Sequence, residues 1–181
     1  MLKTILTYGA TAGLIAGVSL SLIILGAGGQ PSGHSMLVGY TIMLVALSTI
    51  FVAVKRYRDR ELGGVIRFWP AFGLGLAISF IAGLFYVLAW ETAVAIGHFD
   101  FAASYTSAMI AQKKAAGASA AELARFTVEM EHFKVQYANP LFRLPMVFIE
   151  IFPVGVLVSL LAAALLRNRR FLPARSSGTP G

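Results

Sequence analysis

Four stretches of this chain run long and almost free of charge, and no other feature limits its fold as much. They cover about residues 4–27, 36–54, 69–96 and 145–166, where a membrane-crossing helix needs roughly 20 apolar residues. The third is uncharged from Trp69 to Trp90 and reaches Ile96 only by tolerating Glu91, while the fourth carries Glu150 and Pro153. The 181 residues are 57% apolar and 13% charged, with a mean hydropathy of +0.76. Soluble domains carry about a quarter charged residues, and a fold of this size in water leaves too much surface exposed to hide the apolar remainder. An ordinary soluble enzyme and a disordered tail protein are both excluded. The expected solvent is the bilayer.

Charge placement gives the threading. Lys55, Arg56, Arg58, Arg60 and Arg67 lie between spans two and three, and Arg167, Arg169, Arg170 and Arg175 follow span four. With Lys3, ten of the fifteen basic residues fall on one side, against Lys113, Lys114, Arg125, Lys134 and Arg143 on the other. The positive-inside rule then puts both termini in the cytoplasm of a bacterial inner membrane, with loop 98–140 outside. The same placement explains the net charge of +7 without nucleic acid as a partner. The first apolar run exceeds the usual 7–15-residue signal core, so a retained helix is expected rather than a cleaved leader. Trp69 and Trp90 are 21 residues apart, about 31 Å along a helix, and read as the two interfacial belts of one span. With no cysteine, disulfides, thiolate metal sites and thiol nucleophiles are absent.

The outer loop has helical grammar. Ser119 and Glu122 form a capping-box pattern. Leu123, Phe126, Met130, Phe133 and Tyr137 then share one face, beside a polar stripe of Glu122, Arg125, Glu129, His132 and Gln136. This amphipathic helix should end at Asn139-Pro140. A shorter helix from Phe101 to Lys114, capped by Asp100, would join it through Ala115–Ala118, centred on Gly117. The expected fold is all-α: an integral membrane four-helix bundle, one domain over residues 1–170, with an extracytoplasmic helical hairpin between spans three and four. Residues 171–181 read as a disordered cytoplasmic tail.

Few residues suggest chemistry. Gly9, Gly13 and Gly17 repeat every fourth position and form a helix-packing seam, read as close packing within the chain ahead of a dimer contact. Glu150 lies seven residues past Arg143, about 10 Å deeper. A carboxylate there is costly, and such groups face the bundle interior, pair, or carry a proton. Three residues on, Pro153 frees the carbonyl of Ile149, and a carboxyl beside a freed carbonyl suits a cation or proton. The plainer reading is a protonated Glu150 bound to a Ser, Thr or Tyr of a neighbouring span. Glu91 should be a wetted helix end, or else join Glu150, His98 or Arg143 in one outward-facing pocket. Glu129 and His132 have a di-metal spacing but lack the further ligands such a site needs. No catalytic constellation or phosphate loop is visible, so no enzyme, metal or cofactor is expected.

Lys55-Arg56-Tyr57-Arg58-Asp59, the run Ala71–Glu91 with Tyr86 and Trp90, Tyr137-Ala138-Asn139-Pro140 and Phe148–Gly155 carry a further signal in their order and spacing. Through them nearly the whole chain resembles the bacterial domain of unknown function 4199. That resemblance implies a small four-span membrane protein and supplies no catalytic residues. The expected role is a non-enzymatic module that binds lipid or a membrane-protein partner, alone or as a homo-oligomer, with the glycine seam and the Leu123–Tyr137 stripe as its anchors, the stripe lying on the membrane surface, capping the bundle or meeting a partner. The alternative is a small oligomeric transporter or channel coupled to protonation or cation binding at Glu150, with Pro153 and Glu91.

Overall fold

In lipid the backbone has no partner but itself, so each long apolar stretch must close its hydrogen bonds as a helix. A computed structural model describes residues 1–26, 33–97 and 100–173, apart from the side chains of residues 33–36. It contains α1 (Leu2–Gly26), α2 (Gly33–Glu61), α3 (Phe68–Gly97), α4 (Phe101–Ala115), α5 (Ala120–Tyr137) and α6 (Pro140–Leu166). There is no strand among the described residues. Helices α1, α2 from Leu37, α3 and α6 are each long and apolar enough to cross a membrane.

The helices outrun the apolar stretches that mark them. Helix α2 continues past Val54 through the charged run to Glu61. Helix α6 starts at Pro140 rather than Pro145, because Asn139 caps it and Pro140 fits the first turn, where its missing N–H is no loss. Pro145 and Pro153 both stay inside one continuous helix.

The bundle is assembled through small residues. A Cβ added at Gly9 would lie 2.6 Å from Ile81, and one at Gly17 2.6 Å from Ala89. At Gly13 it would meet the backbone of Ala82 and lie 2.7 Å from the Phe85 Cβ. The glycine seam therefore runs parallel to α3 of the same chain. Helix α6 packs antiparallel on the other side of α3, where Gly75 faces Ser159 and Gly155 faces Ser79. The two serine hydroxyls meet at 3.2 Å in the buried seam. In lipid such close backbone approach replaces the missing hydrophobic drive. Helix α2 closes the bundle against α1 and α6, and Leu47, Ile50, Leu74, Ile78 and Ile151 fill the centre. The outer surface keeps large apolar side chains such as Leu22, Val45, Leu88 and Leu161.

Helices α4 and α5 pack on each other above α3. Asp100 caps α4 by accepting from the Ala103 N–H at 2.9 Å. Gly117 turns the chain at φ +81°, and the Ser119–Glu122 capping box starts α5. Phe133 meets Tyr105, and Lys113 lies over the Phe126 ring.

One boundary is corrected at the other end. The chain does not become free at residue 171: Phe171 packs edge-on against Phe51, with ring centroids 6.3 Å apart. Residues 174–181 of the expected tail lie outside the described residues.

Candidate functional site

The N-terminus of α1, the C-termini of α2 and α6, and the start of α3 share one end of the bundle, called here the terminal end. The hairpin closes the other.

At the hairpin end, α3 presents three polar positions in sequence. Glu91, partly exposed, takes a two-pronged ion pair from Arg143 of α6, at 2.7 Å from Nε and 2.5 Å from Nη2. Trp90 is buried and donates its Nε1–H to the Tyr137 hydroxyl at 3.0 Å. One turn deeper, the buried Tyr86 hydroxyl donates to Glu150 at 3.2 Å. The rings of Phe101, Trp90, Tyr137 and Phe133 form one aromatic cluster that docks the hairpin. Burial in that cluster pushes the Tyr137 hydroxyl up to about 12, against a partial lowering by the Trp90 hydrogen bond. A cleft of about 580 Å³ opens beside it, lined by Val94, Asp100, Phe101, Lys134, Tyr137 and Arg143.

The sequence-derived positions distribute unevenly over this site. Glu150 has the tyrosine partner that the plainer reading required, yet as a residue it is exposed, on the outward stripe with Met146, Ile149, Pro153 and Leu157. Its carboxyl nonetheless reaches in to the buried Tyr86 hydroxyl. Of the described partners considered for Glu91, Arg143 binds it, and Glu150 pairs separately with Tyr86. Trp90 is no lipid-facing belt, whereas Trp69 is 74% exposed. Of the amphipathic stripe, Tyr137 is buried and Leu123, Phe126, Met130 and Phe133 are half-buried on the α4 side. Glu129 and His132 are exposed on α5. The side chain of His34, and His98 entirely, lie outside the described residues.

At the terminal end, the run Lys55–Glu61 separates into distinct roles because a helix turns each residue about 100° from the last. Lys55 bonds Asp59 at 2.6 Å, one turn away. Arg58 is fully buried. Its Nε pairs with Asp59 at 2.7 Å, and its terminal nitrogens donate to the carbonyls of Leu166, Phe171 and Leu172. It thereby satisfies one of the open C-terminal carbonyls of α6, that of Leu166, and ties down the chain that follows through Phe171 and Leu172. Arg56 reaches sideways to the Tyr8 hydroxyl of α1 at 2.9 Å. Reading the sequence for topology treated these cations as equivalent. Arg58, Tyr86 and the Gly75–Ser79 and Gly155–Ser159 pairs were missed; only the small-xxx-small spacing of those pairs was a usable signal.

Among the described residues, no buried side-chain nitrogen or oxygen lacks a hydrogen-bond partner. A family model described as "Protein of unknown function (DUF4199)" matches residues 7–168. That is most of the chain, and the chain belongs to this family. No curated protein and no solved structure matches it.

Proposed function

We propose, for this member of the DUF4199 family, the role of a non-enzymatic module of the bacterial inner membrane, with both termini cytoplasmic, that binds lipid or another membrane protein on its outer faces. One observation carries the reading: the buried polar side-chain atoms among the described residues are already hydrogen-bonded within the chain. Side-chain donors and acceptors still free to meet a ligand or partner among the described residues therefore lie at the accessible surface. In this reading the Leu123–Tyr137 stripe serves the chain itself, as the cap that holds α5 on α4. The test is native mass spectrometry of the full chain released from nanodiscs. A specifically retained lipid, a homo-oligomer or a co-purifying membrane protein is expected; a bare monomer under all lipid compositions would overturn the reading. Tags in the Gly117 turn check the sidedness, since labelling from the cytoplasm there would reverse it.

Glu150 favours a second reading. Its exposure on an apolar stripe, one hydrogen bond from Tyr86 and three residues before Pro153, suits a carboxyl that exchanges a proton or cation at a subunit interface. Under that reading Glu150→Gln abolishes an ion-coupled flux in proteoliposomes and leaves the fold intact. A flux that is absent from the wild type, or unchanged in the variant, removes it.

A further inference from the structure

Arg56 is the one cation of the Lys55–Arg60 run that stands exposed at some depth. It lies five residues short of the end of α2, about 7.5 Å along the helix. Asp59 is occupied by Lys55 and Arg58, and among the described residues no carboxylate pairs with Arg56. Its Nη1 donates to the Tyr8 hydroxyl across the α1–α2 contact. The tyrosine oxygen accepts that bond, so its own O–H is left to donate outward. Arg60 is exposed one turn nearer the helix end on the same face. One turn the other way, Val52 is exposed, and Val45 two turns beyond it, with Ser48 and Thr49 between them turning their hydroxyls back onto helix carbonyls. Cations at the level where headgroups meet acyl chains, above an apolar track, form a surface with polarity in the order a phospholipid requires. Guanidinium groups fit phosphate through paired N–H donors. The charge of this end agrees with an anionic lipid: nine described basic residues stand there with only Asp59 and Glu61 as acids.

We propose that Arg56, Arg60 and Tyr8 form a headgroup site for an anionic phospholipid, the phosphate lying against the two guanidiniums and the tyrosine hydroxyl and an acyl chain following Val52 and Val45. This deepens the lipid-binding arm of the proposed function and rests on it. The full chain is equilibrated with mixed phosphatidylglycerol and phosphatidylcholine, and retained lipid is read by native mass spectrometry. The wild type keeps phosphatidylglycerol in preference to phosphatidylcholine. Replacing both arginines by glutamine lowers that retention about thirtyfold at low salt, at about 1 kcal/mol for each cation near the surface. Tyr8→Phe, which keeps the ring, lowers it by a smaller factor and guards against a double variant that fails to fold. Arg167→Gln with Arg169→Gln leaves it unchanged. Equal phosphatidylglycerol retention by the wild type, the double variant and Tyr8→Phe overturns this site while lipid binding elsewhere stands. Equal retention of the two lipids by the wild type overturns the anionic assignment, and no retained lipid at all removes the lipid arm with it.

Discussion

The two ends of the bundle hold their charges by different means. The hairpin end has five basic and five acidic residues, the acids being Glu91, Asp100, Glu122, Glu129 and Glu131. The terminal end has nine described basic residues against Asp59 and Glu61, so most of the net charge of +7 sits there. Where acids are plentiful, cations find carboxylates at the surface: Arg143 with Glu91 and Lys134 with Glu131, all partly exposed. Where acids are scarce, one carboxylate is shared and the backbone supplies the rest: Asp59 serves both Lys55 and Arg58, and Arg58 is bound further by three carbonyls from the end of α6 and beyond. A surface pair can be lost with little consequence. A buried cation joined to the backbone cannot.

The comparison can be broken by substitution, and the largest effect belongs to Arg58. Arg58→Ala removes a buried cation, leaves its partners uncompensated, and should cost about 3–5 kcal/mol. Thermal unfolding in detergent measures the loss, and early proteolysis after Leu166 shows that the tail has come free. Arg58→Lys should rescue it only in part, because one ammonium cannot span the same set of acceptors. An Arg58→Ala variant as stable as the wild type would erase the contrast between the ends.

Next is Trp90→Phe at the hairpin end. It keeps most of the ring contact with Phe101 but leaves the buried Tyr137 hydroxyl without its donor, an expected cost of about 1–3 kcal/mol. Hydrogen exchange should rise in α4 and α5 ahead of the spans. Smaller again is Glu91→Gln, which disrupts a partly exposed pair worth about 1 kcal/mol. Its effect should shrink as salt is added, whereas that of Arg58→Ala should not.

The smallest effect is one of pH. The Ser119 hydroxyl and backbone N–H hold the Glu122 carboxyl below the usual carboxylate range. A depressed folded value means that the carboxylate stabilises the start of α5 above its unfolded value. That contribution is lost as pH falls through the folded one. Acid fraying confined to the first turn of α5, and absent in Glu122→Gln, would show it by hydrogen exchange.

Much of this was legible in the sequence, and the residues show why. Helices dictated by solvent need no knowledge of neighbours, so the four spans could be read from apolar length alone. Local caps are equally direct: Asp100, Ser119 and Glu122 act on backbone groups within three residues of themselves. The glycines at 9, 13 and 17 announced a close helix approach, though not that α3 was the helix approached. The site was less legible. Tyr86 is one of six tyrosines in the chain, and nothing in its surroundings along the sequence singles it out as the donor to Glu150. Phe171 follows three basic residues in four positions, which argued for a solvated tail, and only its ring against Phe51 argues otherwise.

What the sequence determined by itself is the class of fold: hydrocarbon forbids an unpaired backbone, so length, apolarity and caps along the chain suffice to place its helices. What the tertiary structure decided is the use of each polar side chain. Lys55, Arg56, Arg58 and Arg60 are near-synonyms in a string, but the helical turn aims them at an acid, a tyrosine, three carbonyls and open surface. Apart from the acid, which is Asp59 of α2 itself, those targets come from α1, from α6 and from the residues after it. Partners across helices are a property of packing, and no local pattern along the chain encodes them.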